Sequence, residues 1–286
     1  MGQKEKIYET VTMHNGLKML SALPINNTGI AEAYYTIRDN QLGNSKGDCA
    51  PFSCNIYKKL GVNEGIKDFR LCCDAMRINP DTVVSSRLTY ATNEVKNIKK
   101  EDLQNYDIFD EPSAPHCDGI ITAEKGITIF TYAADCVLIN FVDVRKKVIG
   151  SCHCSWGTTL KGIVQSEVES FTKQYSSNTS DIIAFIWPGI SKELFEVGNE
   201  CSDKFIEAGF SQFVDTTSYA KPHIDLQAVN KHILLSCGLD EKNIYVLNEL
   251  CTMRDKKLFH SYRRGPINPE TKVHLNGMNG CFIRLI

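Results

Sequence analysis

Alternating and helically spaced apolar positions divide the chain into a strand-rich opening, an apolar centre and a second half that mixes helices with short strands. Tyr8-Glu9-Thr10-Val11-Thr12 and Leu17-Lys18-Met19-Leu20 flank His14-Asn15-Gly16, which predicts a β-hairpin. Residues 31–37 predict a third strand. Residues 53–59 open a polar, glycine-punctuated stretch, and residues 82–85 predict another strand. Between them Ile66, Phe69, Leu71, Cys72 and Ala75 recur at helical spacing. At the centre, residues 127–132 lead through Ala134-Asp135-Cys136 into residues 136–141. A second apolar segment, 147–152, leads into His153-Cys154-Ser155-Trp156, and the turn Asp143-Val144-Arg145-Lys146 joins the two. Leu160, Ile163, Val164, Val168 and Phe171 then predict one amphipathic helix over 158–175. Residues 182–187 predict a strand ending at Pro188-Gly189. Helices over 200–208 and 225–237 stop at Gly209 and Gly238, and 244–247 and 280–285 predict closing strands. The mixture lacks a strict βαβ rhythm. It therefore predicts mixed sheets covered by helices in one continuous domain over 1–286.

Composition narrows the function classes. A 286-residue chain with 42% hydrophobic and 23% charged residues is long enough for a sizeable core. A formal net charge of -2 gives no electrostatic footprint for nucleic acid or a lipid surface. No apolar run approaches the roughly 20 residues of a membrane span, and Met1-Gly2-Gln3-Lys4-Glu5-Lys6 lacks an apolar signal region. A cytoplasmic, monomeric protein is the expectation. The twelve cysteines include no CxxC pair, so most are expected to be small buried apolar groups in a reducing compartment.

Cys136 is the exception. Adjacent strands joined by the 143–146 turn would bring its thiol close to His153. A thiol beside an imidazole makes half of a soft-metal site or a thiolate–imidazole catalytic pair.

Several stretches occur in the order and spacing of one family. They are Ala134-Asp135-Cys136, His153-Cys154-Ser155-Trp156, Trp187-Pro188-Gly189-Ile190 with Phe195-Glu196-Val197-Gly198, Cys251-Thr252, and Phe259-His260-Ser261-Tyr262-Arg263-Arg264. Arg38 and Phe52-Ser53-Cys54-Asn55 fit its N-terminal elements less tightly. From about Arg38 to Ile286 the chain resembles the YfiH/laccase-domain family, once labelled multicopper polyphenol oxidase and now read as purine nucleoside phosphorylases. The resemblance implies an α+β fold, a four-layer α-β-β-α sandwich with mixed β-sheets. It also implies a zinc ion bound by His, Cys and His, with copper under the older label. The implied reaction is phosphorolysis of adenosine, inosine, guanosine or methylthioadenosine, with adenosine deamination alongside. Purine nucleoside and phosphate are thus the implied partners. Carried over by motif, Cys136 and His153 are two metal ligands, and Arg263 and Arg264 are the candidates to hold phosphate. Arg38 and Asn55 are further candidates for substrate contact.

The chain departs from the family motifs at several positions. Tyr90 stands where the first histidine ligand is expected, and a phenol with a pKa near 10 is a poor zinc ligand at neutral pH. Gly157 replaces an Arg, Thr158 a Gly, Gly265 an Asp, Met278 an Arg, and Trp187 a Gly. Four of these changes, at Tyr90, Gly157, Gly265 and Met278, would remove a ligand or a charge from the implied pocket. His116, just before Cys117-Asp118-Gly119, is either a replacement ligand or a solvated loop histidine. Trp156 is expected to pack beneath the site, and His223 and His232 to serve as caps or surface groups. Three functions stay open: a nucleoside-cleaving enzyme with a weakened zinc site, a metal-free hydrolase using Cys136 and His153, and a catalytically impaired paralogue that binds a nucleoside or a partner.

Overall fold

The structure, a computed structural model, describes residues 5–38, 62–89, 92–110, 113–265, 267, 269–270 and 276–286. Strands β1 (Tyr8–Thr12) and β2 (Lys18–Ala22) form the expected hairpin, followed by helix α1 (Leu23–Asn26) and β3 (Ala31–Thr36). Helix α2 (Val62–Met76) precedes β4 (Val83–Ser85), β5 (Val95–Asn97), β6 (Gly119–Thr122), β7 (Thr128–Ala133), β8 (Val137–Asp143) and β9 (Val148–Cys154). Then come α3 (Trp156–Leu160), α4 (Ile163–Tyr175), β10 (Ile182–Ile186), α5 (Asn199–Glu207), β11 (Val214–Asp215), β12 (His223–Ile224), α6 (Leu226–Ser236), β13 (Ile244–Val246) and β14 (Asn279–Leu285). The polar stretch at 53–59 lies outside the described residues.

Two six-stranded mixed sheets lie face to face. The first has the order β1-β2-β3-β14-β7-β4, antiparallel except for the parallel pair β7 and β4. The second has the order β13-β10-β8-β9-β6-β5, with parallel pairs at its two ends. Because successive side chains of a strand point to opposite faces, one strand feeds two layers. Ile129 and Ala133 of β7 join Leu138 and Val142 of β8 and Ile149 of β9 in the core between the sheets. Phe130 and Tyr132 point the other way and pack with Phe69, Cys72 and Cys73 of α2. On the far side, Val137, Ile139, Phe141 and Cys152 meet Ile163, Val164, Val168 and Phe171 of α4 and Val229 and Ile233 of α6. Helix, sheet, sheet, helix is thus the observed layering, as the family resemblance implied.

Three details differ from the sequence reading. The predicted helix over 158–175 is two helices, because Gly162 at φ +86° breaks α3 from α4. The short strands β5 and β6 carried no clear alternation and went unpredicted. The segments at 127–132 and 136–141, which read as one continuous run, belong to different sheets. Residues 134–136 are therefore where the chain crosses from one sheet to the other.

The interior carries two polar features. Between the sheets, Thr131 Oγ1 lies 2.9 Å from Ser151 Oγ, and Asn140 Nδ2 donates to Ser151 Oγ at 3.0 Å. Trp187 Nε1 donates to Asn140 Oδ1 at 2.6 Å, and the indole stacks on Tyr35 at 5.2 Å. Each buried polar atom in this group thereby finds a partner, and the tryptophan that replaces a small residue fills the space between the sheets. Glu167 is different. It projects from α4 into the apolar layer, fully buried, and neither carboxyl oxygen has a hydrogen-bond partner among the described residues. Gly119 and Gly150 leave the space it fills, since a methyl at either would run into its carboxyl oxygens. Burial, then the nearby Cys154, pushes the Glu167 carboxyl well above the usual range.

Candidate active site

The crossover between the sheets builds the site. Asp135 takes a left-handed conformation at φ +83°, unusual for a residue with a side chain and sustained only where the surroundings over-determine it. Those surroundings are explicit. Thr252 Oγ1 donates to Asp135 Oδ1 at 2.6 Å, while Ser261 Oγ and the Arg263 backbone N–H donate to Oδ2 at 2.9 and 2.8 Å. The Asp135 carbonyl accepts from the Ile190 amide at 2.9 Å. One carboxylate thus gathers the segments around 190, 252 and 261–263 beneath Cys136. Sequence reading grouped Ala134-Asp135-Cys136 as a motif but gave Asp135 no role. Its partners lie 117 to 128 positions away, beyond the reach of local patterning.

Cys136 and His153 share a face. In the β8/β9 ladder Leu138 pairs with His153, and Cys136 precedes Leu138 by two positions, so both side chains point between the sheets. The Cys136 thiol lies beside the His153 ring, close enough for its charge to act on the imidazole. Cys136 is half-buried, whereas His153 is fully buried. Burial alone would pull the imidazole down. The charge on Cys136 and the hydrogen bond with Asp118 outweigh that and hold the ring up at about 10.

Asp118 is the residue the sequence reading passed over, although it sits in the quoted Cys117-Asp118-Gly119 segment. It is fully buried, with Oδ1 3.0 Å from His153 Nδ1. Its Oδ2 accepts from the Thr89 backbone N–H at 3.2 Å, from Thr92 Oγ1 at 3.3 Å, and from Thr89 Oγ1. A carboxyl aimed at the outer nitrogen of a histidine was the available signal, but it needed the β6/β9 pairing to be seen.

The arginines separate into different tasks. Arg264 spends its guanidinium on the backbone carbonyls of Thr252, at 3.0 Å, Met253 and Phe259, so it braces the loop. Burial lowers its pKa from the usual arginine range. Arg38 Nη1 donates to the Lys256 carbonyl at 2.8 Å in the same loop. Burial, with Arg38 and Arg264 close by, drives His260 down to about 3 and keeps it neutral. Arg263 alone of the three is exposed: one nitrogen donates to the Glu196 carbonyl at 2.7 Å, and the guanidinium lies 5.6 Å over the Phe195 ring. The structure therefore groups Cys136, His153 and the 251–265 loop with its arginines. Tyr90 and Asn55 lie outside the described residues.

Other expectations resolve differently. His116 is exposed and faces Arg87 Nη1 at 3.2 Å, which is the loop-histidine reading. Trp156 is not packed beneath the site; it is 42% exposed, with the Lys204 ammonium 5.6 Å from its ring centroid. Met278 is buried in the layer under α2, in the same apolar cluster as Ala134 of the crossover. Gly265 faces Asn276 so closely that an added Cβ would lie 2.7 Å from Asn276 Cβ. A Gly265→Asp change, which restores the family residue, is expected to lower stability by about 1–3 kcal/mol. Urea unfolding monitored by circular dichroism measures it.

Whether a metal fits depends on the donors. Cys136 and His153 are suited to zinc, and Asp118 behind His153 is the orienting carboxylate such a ligand commonly has. Among the described residues no three His, Cys, Asp or Glu side chains group as metal ligands, so these supply two protein ligands and no third. Among them, too, no helix is long and apolar enough to cross a membrane.

Residues 36–272 match the family model described as multi-copper polyphenol oxidoreductase laccase, and the chain belongs to that family. It is 35% identical over 149 residues to the purine nucleoside phosphorylase YlmD of Bacillus subtilis, covering 51% of this chain and 53% of that protein. It is 33% identical over 154 residues to the adenosine deaminase RL5 of an unknown prokaryotic organism, covering 53% and 58%. The chain thus spans little more than half the length of these curated relatives. The crystal structure of the hypothetical protein YfiH of Bacillus licheniformis superimposes with a TM-score of 0.84 at 22% identity, covering 99% of this chain and 100% of that one. That likeness establishes the fold.

Proposed function

We propose that this protein cleaves purine nucleosides with phosphate, with adenosine, inosine, guanosine and methylthioadenosine as the substrate class and adenosine deamination as a side reaction. The observation that carries the reading is the contact between Cys136 and His153 at the sheet crossover, with Arg263 tied to the same Asp135 that holds Cys136. The names of the relatives support the same chemistry. In phosphorolysis a phosphate oxygen bonds to the ribose anomeric carbon while the glycosidic bond breaks, its electron pair leaving with the base. Arg263 has exposed N–H groups to orient phosphate, and Arg264 and Arg38 keep its loop in place. Cys136 and His153 would hold zinc, which when bound supplies Lewis acidity and a water of lowered pKa.

Phosphate-dependent release of hypoxanthine from inosine, measured with the zinc content of the same sample, tests the reading; a folded protein showing neither would reject it. A Tyr90→His variant is expected to raise bound zinc towards about one ion per chain, and hypoxanthine release with it. Metal analysis and the phosphorolysis assay on the two proteins check this.

One observation favours a second reading. Asp118, His153 and Cys136 lie in series, the arrangement of a thiol nucleophile, its base and an orienting carboxylate. A metal-free hydrolase would show selective alkylation of Cys136 by iodoacetamide near neutral pH. Uniform slow labelling of all thiols would count against it. Nucleoside binding by calorimetry without turnover would instead indicate a catalytically impaired paralogue.

A further inference from the structure

We infer that Trp156 is the side chain on which the purine base stacks, an assignment that rests on the proposed nucleoside chemistry. The chain has two tryptophans, and they are used in opposite ways. Trp187 is fully buried, with its N–H on Asn140 and its ring on Tyr35. Trp156 is left in solvent, with the Lys204 ammonium over its ring and no aromatic partner among the described residues. Leaving an indole in water forgoes the stabilisation that burial gives, whereas a bound aromatic ligand recovers it.

The place of Trp156 follows from the strand before it. Ser155 caps α3 by accepting from the Thr158 amide at 3.1 Å, and Thr158 Oγ1 donates to the His153 carbonyl at 2.9 Å. The first turn of α3, which carries Trp156, is therefore tied to the residue bearing the imidazole. From the other side comes α5. Glu200 holds Lys204 Nζ at 2.8 Å, which keeps the ammonium over the indole and the indole in one orientation. One turn back, the Cys201 thiol feels the charges of both Lys204 and Arg263. Trp156, Lys204 and Arg263 thus form one continuous rim, with the proposed phosphate position at its Arg263 end.

The other exposed aromatics border the same rim. Among the described residues, Trp156, Tyr219 and Tyr262 are the exposed aromatic side chains. Tyr262 directly precedes Arg263. Tyr219 stacks on His223 at 3.9 Å, and His223 pairs across an antiparallel bridge with Glu196, whose carbonyl accepts from Arg263. Aromatic surface scattered over a molecule means little. Gathered around cations beside a thiol and an imidazole, it suits a flat ring and an anion bound side by side. Tyr219 already spends a face on His223, and only Trp156 is anchored to His153 and offers a fused ring as wide as a purine.

Trp156→Ala is expected to weaken inosine binding by about 5- to 150-fold, and Trp156→Phe by less. Calorimetric titration measures this, with circular dichroism as the fold check. Inosine is also expected to quench the emission of the parent protein saturably. That quenching is expected to vanish in Trp156→Phe, where buried Trp187 is the tryptophan that remains, and to be absent with ribose and phosphate, which lack a base. Where hypoxanthine release is measurable, Trp156→Ala is expected to raise KM over the same range with kcat little changed, since stacking serves ground and transition states alike. Equal inosine affinity in the parent and a folded Trp156→Ala protein overturns the inference; so does a parent emission that inosine leaves unchanged, or quenching that persists in Trp156→Phe. Base-dependent quenching without hypoxanthine release sinks the proposed reaction and leaves the stacking role standing. Hypoxanthine release with KM unchanged in Trp156→Ala does the reverse.

Discussion

Replacing Cys136 by serine is expected to lower phosphate-dependent hypoxanthine release by about a thousandfold, with KM for inosine little changed. The hydroxyl is nearly the size of the thiol but is neither a soft-metal ligand nor an acid able to share a proton with His153 near neutral pH. Because Cys136 is half-buried and contributes little to packing, the melting temperature is expected to move by no more than about 2–4 °C. A His153→Ala change is expected to cost as much, and the double variant hardly more than either single one, since the two groups act as a unit. Initial-rate kinetics on the four proteins, with thermal unfolding as a fold check, measure this. Retention of a tenth of the parent rate by Cys136→Ser would remove Cys136 from the centre of the mechanism.

The second large effect concerns stability. Glu167 lies in hydrocarbon, and among the described residues neither of its oxygens has a hydrogen-bond partner. Its folded-state pKa is raised, so the folded protein binds the carboxyl proton more tightly than the unfolded chain does. Stability linked to this group is fully present below the unfolded value of about 4.3 and falls as pH rises through the folded value. Glu167→Met has a similar shape and nothing to ionise. It is expected to be more stable than the parent by about 2–4 kcal/mol at pH 7, with the gap closing towards pH 4. Among the described residues, Cys152 and Cys154, whose sulfurs lie 3.5 Å apart on the facing strand, and Cys117 are the titratable groups coupled to it, and none is a cation that could hold a charged carboxylate. Urea unfolding of the two proteins across pH 4–8 checks the sign. A gap that stays constant with pH would mean that Glu167 binds its proton no more tightly in the folded protein than in the unfolded chain, which would remove the burial argument.

Local patterning revealed much of the fold for a physical reason. The hairpin at 8–22, the helix at 62–76 and the strand pair around the 143–146 turn are set by contacts between near neighbours, and period-two or helical spacing exposes those directly. The sheet-to-sheet crossover at 134–136 was not legible, because a strand that ends one sheet and a strand that begins another look like one apolar run. For the site, motif order identified Cys136, His153 and Arg263, whereas the roles of Asp118, Asp135 and Arg264 came only from side chains meeting across sheets. Arg263 and Arg264 are neighbours in the sequence and could not be told apart there. In the structure one spans three carbonyls and the other reaches solvent.

The place of β14 has a consequence for how the chain is made. Residues 279–285 are made long after β3 and β7, yet they are wedged between those two strands in the middle of the first sheet. Until they emerge, both neighbours expose a row of unsatisfied amides and carbonyls, so nascent chains carry two sticky edges until β14 arrives. Protection during translation, or rapid synthesis of the segment between β7 and β14, would therefore matter more to the yield of this protein than the strength of any one contact in its finished form.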